Sequence, residues 1–485
     1  MITKIKPMER SWLFSFFFIC IVLLFNSCTK FASDGMRIND AIGNTDPWKN
    51  LDKLLEQIKP PVFIKKDFAI TAYGAVGNGS ADCSAAIKKA IEACSQAGGG
   101  RVVVPAGVYL TGPIHLKSNV NLNIQKGATL SFSTKPDDYL PLVHTRWEGV
   151  ELMGLSPLIY AFEQKNIAIT GEGTLDGRAD ATNWWPWKGQ KKYGWKDGMA
   201  SQTDADKRAA LFQMAEDNIP VHQRKFGKES FLRPQFVQPY RCENVLIEGV
   251  TIINSPMWIL NPVLCNNVTI QKVRVESQGP NSDGCDPESC KNVLIKDCFF
   301  NTGDDCIAIK SGRNADGRRI NVPSENIIIQ DCTMANGHGG VVIGSEISGG
   351  VRNVFAQNCR MDSPELDRVL RIKTSSARGG VIENIYLRNI EVGQVAEQAI
   401  IATMFYEDSG SFMPTVRNIE VRNMQVKNGG KVGVLLEGYQ ESPVQNLRLI
   451  NVSMDQVKEP YRFSHAKNVH FENVKINGQK VILPE

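Results

Sequence analysis

Asn292-Val-Leu-Ile-Lys-Asp-Cys298 and, 34 residues later, Asn326-Ile-Ile-Ile-Gln-Asp-Cys332 are two copies of one pattern: Asn, apolar, any, apolar, any, any, apolar. The pattern also begins at Asn244, Asn267, Asn353, Asn384, Asn418, Asn446 and Asn468, at intervals of 22 to 34 residues. Its second position is always Val, Ile or Leu, and its seventh is Val, Ile, Met or Cys. Alternating apolar positions read as a strand with one buried face. Recurrence at one coil length stacks each strand on its counterpart, which predicts a solenoid of parallel sheets around a filled interior. Loops that lengthen on one side account for the variable interval, and the repeated Asn can stack as a ladder of amides. The expected fold is all-β, a right-handed parallel β-helix.

This register also reinterprets the cysteines. Twelve of them in an exported chain suggest disulfides. Yet Cys298, Cys332 and Cys359 occupy the inward seventh position, interchangeable with Val and Ile. A core ladder of thiols fits that position better than cross-links. Cys285, Cys290 and Cys306 fall in loops and receive no assignment.

Upstream, Ser84 to Ala97 reads as an amphipathic helix with Ile87, Ile91 and Cys94 on one face, stopped by Gly98-Gly99-Gly100. Such a helix would cap the open apolar end of the solenoid. The interval from Asn166 to Asn244 exceeds one coil and reads as a long insertion, about 178–235. It holds Trp184, Trp185, Trp187 and Trp195, which either stack on a ligand or anchor the insertion, and a helical stretch near Ala205 to Glu216.

At the N-terminus, Lys4, Lys6 and Arg10 precede an apolar run, Trp12 to Phe25, too short to span a bilayer comfortably. The run stops at Phe25-Asn26-Ser27-Cys28, which resembles a bacterial lipobox, with Phe25 and Asn26 departing from the usual residues. Residues 1–28 are read as a lipoprotein-type signal with Cys28 lipidated, 29–60 as a tether and N-terminal segment, and 61–485 as the β-helix domain. The expectation is an exported protein, lipid-anchored in the bacterial envelope at the outer membrane or cell surface; periplasmic or secreted forms are the alternatives. The membrane would be touched only through that anchor. Of the net charge of +4, the signal segment supplies +2. A near-neutral remainder argues against nucleic-acid binding.

Four short motifs carry the chemistry: Gly279-Pro-Asn-Ser-Asp-Gly-Cys-Asp286, Gly303-Asp-Asp-Cys306, Gly337-His-Gly-Gly340 and Arg371-Ile-Lys373. Singly they are bland, since Asn-Ser-Asp-Gly and Gly-Asp-Asp are turn sequences and Arg371 and Lys373 could simply face solvent. Each follows a repeat strand by a similar distance, however, so all four should project from one face. That face would gather Asp283, Asp304, Asp305, His338 and two cations. Glycoside hydrolysis needs such a set: an acid to protonate the leaving oxygen and a carboxylate to activate water or attack the sugar. Crowding should raise one carboxyl's pKa, keeping an acid protonated. Arg371 and Lys373 can hold an acidic sugar's carboxylate. With one histidine and no Cys/His spacing, no metal site is expected.

In this order and on this architecture, the motifs resemble those of the polygalacturonases of glycoside hydrolase family 28, whose pattern is Asn-Thr-Asp, Gly-Asp-Asp, Gly-His-Gly and Arg-Ile-Lys. Ser282 replaces the Thr. The resemblance covers roughly residues 65–475. It implies a pectin-lyase-like solenoid and an inverting, cofactor-free hydrolase of α-1,4-galacturonosyl bonds acting on pectic polysaccharide as a monomer. Asp304 would be the general acid, and Asp283 and Asp305 would position and deprotonate water. An inverting pair should stand ~6.5–9.5 Å apart. His338 would tune the acid or contact the sugar. Arg371 and Lys373 would bind galacturonate, with Tyr406 supplying the active-site tyrosine and Asn281 orienting its loop or contacting substrate. Lys310 is structural or substrate-binding. Similarity to longer bacterial exo-acting members with a Trp-rich insertion favours exo action. The rivals are a pectate lyase, which needs Ca²⁺ and an Arg base, and a non-catalytic glycan-binding β-helix, which needs no acidic trio.

Overall fold

A computed structural model describes residues 46–483. Cys28 and the signal-like segment lie outside them. The described residues from Asn50 onward form one compact unit; before it, 47–49 belong to a short 3-10 turn, Pro47–Asn50. The unit is a right-handed parallel β-helix. Its second repeat positions pair directly from coil to coil, Val245 with Val268, Val293, Ile327, Val354, Ile385, Ile419, Leu447 and Val469 in turn. Alternation decides which side chains enter: Lys291–Lys296 buries Val293 and Ile295 and turns its Lys residues outward. Each fully buried Val or Ile contributes roughly 1.5–3 kcal/mol, repeated coil after coil.

The first repeat position turns the corner. All nine Asn residues there have φ between 55° and 61°, a left-handed conformation that Asn tolerates better than other residues with a Cβ. Their amides form the expected ladder, each Nδ2 donating to the preceding Oδ1, as from Asn267 to Asn244 (2.7 Å) and Asn353 to Asn326 (3.1 Å). It extends upstream through Asn166 to Asn119. One rung is displaced: Asn292 donates to Asn266 instead, and the Asn267 Oδ1 accepts from the Lys59 backbone N–H. A second ladder, unanticipated, occupies the sixth position, from Asp331 through Asn358, Asn389, Asn423 and Asn451 to Asn473.

The third face of the coil includes the strands Ile307–Ile309, Val341–Ile343, Arg368–Lys373, Gln398–Thr403, Val432–Glu437 and Glu459–Ser464. Isolated bridges at Cys285 and Leu260 continue it back to Val237–Tyr240. At the N-terminal end the helix Ser84–Gln96 buries Ala86, Ile87, Ala90, Ile91 and Cys94 against the core. Gly99 follows it at φ 116°, where a Cβ would meet the Asn119 carbonyl oxygen at 2.6 Å.

All ten described cysteines are free and buried. Cys290, unassigned from the sequence, ends a second sulfur column: the Cys242 N–H donates to Cys265 Sγ and the Cys265 N–H to Cys290 Sγ, each at 3.4 Å. Ser324 Oγ takes the next place, accepting from the Cys290 N–H. Cys285 and Cys306 point into the core.

The insertion leaves after Thr174–Asp176 and returns at Val237–Tyr240. It does not stand alone. A hairpin the sequence did not announce, Val143–Trp147 with Val150–Gly154, pairs through Met153 and Gly154 with Lys225–Phe226 of the insertion. Together they bury a satellite core that includes Trp147, Leu152, Leu211, Phe226 and Trp258. Arg208 of the insertion also grips Glu148 at the hairpin tip (2.6 Å).

Candidate active site

Asp283 and Asp305 each stand two residues before a partner of the Cys285–Ile307 bridge. They therefore hold equivalent positions on adjacent coils. On the next coil that position is Gly339, where a Cβ would stand 3.5 Å from Asp305 Oδ1. Asp304 turns the other way. Its Oδ1 accepts from the Asp305 N–H (3.0 Å) and meets His338 Nδ1 at 2.9 Å. Asp304 is 19% exposed and His338 52%, whereas Asp283 is 4% and Asp305 0% exposed. Asp304 is thus the carboxylate of the trio that a ligand can reach.

Cations surround the buried pair. Lys373 Nζ lies 2.7 Å from Asp305 Oδ2, and an Arg371 nitrogen 3.3 Å from Oδ1. Tyr406 stands over both, its ring centre 5.5 Å from the Arg371 guanidinium carbon and 5.2 Å from Lys373 Nζ. Lys310, left undecided by the sequence, is buried between Asp283 (3.5 Å), Asp286 (3.5 Å) and Glu346 (3.2 Å), above the Trp258 ring. Asn281 offers its Oδ1 to Lys188 Nζ (2.7 Å) and Arg233 (2.9 Å). Seven of the eight described candidate residues are joined by these contacts, and Asn281 stands two residues before Asp283.

A family model described as glycosyl hydrolases family 28 matches residues 221–476. The chain belongs to glycosyl hydrolase family 28. A second model, rhamnogalacturonase A/epimerase, pectate lyase-like, matches residues 68–128. Among solved structures this family 28 chain is similar to a hyperthermoactive exopolygalacturonase from Thermotoga maritima. The two are 46% identical with a TM-score of 0.86, over 89% of this chain and 96% of that one. It is also 28% identical to an exo-poly-alpha-D-galacturonosidase of Dickeya chrysanthemi, over 85% of this chain and 72% of the relative. A probable polygalacturonase of Vitis vinifera is 27% identical, over 80% and 74%.

Within this family 28 site, the Ser282 that replaces Thr still pins its loop. Its hydroxyl lies 2.7 Å from the Ser277 and Gly279 carbonyl oxygens and accepts from the Gly303 N–H. The expected spacing needs correction. The carboxylates are closer than an inverting pair was expected to stand, with one oxygen of each within 4.8 Å of the others. Asp304 and Asp305 are consecutive residues, and Asp283 lies on the adjacent coil, only ~4.8 Å away. The expected rise of one carboxyl falls on Asp283. Burial, reinforced by the charges of Asp304 and Asp305, pushes Asp283 up to about 7. For Asp304, burial alone would raise the carboxyl. The His338 hydrogen bond and charge, with Lys373 and Lys310, override it and hold Asp304 below the ordinary 3.8. Burial is likewise outweighed at Asp305, which Lys373 and Arg371 keep ionised. The same hydrogen bond to Asp304 raises His338 above its ordinary 6.5.

The trio's oxygens are near enough to gather a divalent cation, but Lys310, Lys373, Arg371 and His338 already supply the opposing charge there. Sequence reasoning passed over Asp286, fully buried beside Lys310 with its carboxyl raised by burial and then by Asp283. It lies within the first quoted motif, three residues after Asp283. Lys188, Arg233 and Glu346 carry no comparable signal, because coil stacking and the insertion bring them in from afar. Three of the insertion's four tryptophans anchor it against the core. Trp184 is buried edge-on to Tyr139, Trp185 donates to the Ser255 carbonyl oxygen (2.9 Å), and Trp187 packs on Phe231. Trp195 donates to the Met199 carbonyl oxygen within the insertion.

Proposed function

We propose that this chain hydrolyses α-1,4-linked galacturonosyl bonds of pectic polysaccharide, releasing terminal units with inversion and without a cofactor. The observation that carries the reading is the asymmetry of the trio: one reachable carboxylate joined to His338, backed by two buried ones among cations. Asp304 and His338 share one proton across 2.9 Å. Asp304 delivers it to the glycosidic oxygen as the bond to the anomeric carbon breaks. Water attacks that carbon from the opposite side, oriented by Asp283 in its protonated form, and gives its proton to ionised Asp305. Both Asp305 oxygens are engaged by cations, which makes it a poor covalent nucleophile and favours water attack. Arg371 and Lys373 hold the galacturonate carboxylate, with Tyr406 against them.

The calcium-dependent lyase reading needs a deprotonated arginine, yet Arg371 faces Asp305, whose charge outweighs burial and raises its pKa further. Products absorbing in the ultraviolet would nevertheless establish elimination. The decisive experiment follows defined oligogalacturonides by proton NMR. Single units leaving as the inverted anomer are expected, and a retained first product would overturn the mechanism. Viscosity that collapses before reducing ends accumulate would overturn terminal action. We further infer export with Cys28 acylated, the protein acting as a lipid-anchored monomer in the envelope. Cys28→Ser should then move it from the membrane fraction to the soluble one.

A further inference from the structure

Two cations beside the trio, half-buried Lys188 and fully buried Arg233, form no ion pair with any described acidic group. Both donate to the same neutral acceptor, Asn281 Oδ1. Arg233 is fully buried and has a scaffold role, holding the Pro256 and Pro280 carbonyl oxygens. Lys188 has only the Asn281 contact and remains partly exposed. A half-buried ammonium group without an ion-pair partner gains from an opposite charge brought to it.

The insertion holds this ammonium group on a rigid footing. Lys188 ends the short 3-10 turn Trp185–Lys188, closed by Gly189 at φ 78°. The turn is pinned by Trp185 on Ser255, by buried Trp184, and by the Gln202 N–H on the Trp187 carbonyl oxygen. Position completes the case. Arg371 and Lys373 lie on a coil beyond Asp305, whereas Asn281 and Lys188 lie on the other side, at the loop that leads into Asp283. A bond placed at Asp304 joins two acidic sugars, and cations stand on both flanks. Only the Lys188 flank is built by the insertion.

We infer that Lys188 is a specificity-determining residue that binds the carboxylate of the terminal galacturonate, on the side of the scissile bond opposite Arg371 and Lys373. This rests on the hydrolytic reading above. Burial, working against the attraction of Glu148 and alongside the repulsion of Arg233 and Arg208, lowers the Lys188 pKa. An arriving carboxylate would relieve that strain on the charge.

The test uses the full-length enzyme and two oligogalacturonides that differ only in the unit released, one with a free carboxylate and one with its methyl ester. The wild type should prefer the free acid by about 10- to 100-fold in kcat/KM, the worth of one charge-assisted hydrogen bond. Lys188→Met should lose that factor on the free acid and cleave both substrates alike, while Lys188→Arg keeps most of the preference. Equal cleavage of acid and ester by the wild type would overturn the assignment without recourse to any variant. So would a Lys188→Met enzyme that retains the full preference. If the wild type cleaves neither substrate, the hydrolytic reading itself fails and takes this inference with it.

Discussion

Replacing Asp283 with Asn should trade activity for pH-dependent stability. The side chain is 4% exposed, and the fold lifts its carboxyl from 3.8 to about 7. Below pH 3.8 the carboxyl is protonated in both folded and unfolded chains. Between 3.8 and 7 the unfolded chain ionises alone, so the wild type loses stability as pH rises, and above 7 the loss is complete. The interval corresponds to about 4 kcal/mol, at ~1.4 kcal/mol per tenfold. Asn cannot ionise and escapes the loss. Unfolding entropy near ~2.1 cal/mol/K per residue over about 440 residues gives ~0.9 kcal/mol/K, so the advantage amounts to roughly 4 °C in Tm. Scanning calorimetry at pH 4 and pH 8 measures it as a difference of differences, in which effects of the substitution that do not depend on pH cancel. The Tm of Asp283→Asn minus that of the wild type should be about 4 °C greater at pH 8. An equal difference at both pH values would refute the argument that burial holds the proton there. Turnover should fall ~10²- to 10⁴-fold.

Three further outcomes are expected. Asp304→Asn should lower kcat by ~10²- to 10⁴-fold while leaving KM within a few-fold, read by reducing-end release; unchanged turnover would favour the glycan-binding alternative. His338→Ala should move the alkaline limb of the kcat profile to lower pH. The proton shared with Asp304 is lost through the raised histidine pKa in the wild type, but through a carboxyl pKa alone in the variant. Reductant should leave Tm unchanged, because all ten described cysteines are free; a fall of several degrees would expose a cross-link.

The sequence disclosed what is periodic. Asn at the corner and apolar residues at positions two, four and seven recur because each coil solves the same packing problem, and that phase alone brings Asp283, Asp305, His338 and Arg371 to one face. It was silent where contacts are not periodic. Val143-His-Thr-Arg-Trp147 belongs to no repeat, since its partners are the insertion and its own return strand. Lys188 could not be linked to Asn281 across 93 residues. That one crowded carboxyl would be raised was legible, but not that it is Asp283, because the three differ in exposure and in their neighbouring cations, which spacing does not report. The expected gap between acid and base failed on the chain itself: Asp304 and Asp305 are consecutive residues, and coil stacking brings Asp283 to them.

The two ends of the stack are finished differently. The helix Ser84–Gln96 seals the first coils, but Val469 and Phe471 on the coil begun by Asn468 remain half-buried. In a solenoid each coil is secured mainly by its immediate neighbours, so unravelling should start at this loosely covered end and travel inward. Between it and Arg371 stand the coils begun by Asn384, Asn418 and Asn446. They act as a sacrificial margin, able to fray and rewind while the acids keep their places.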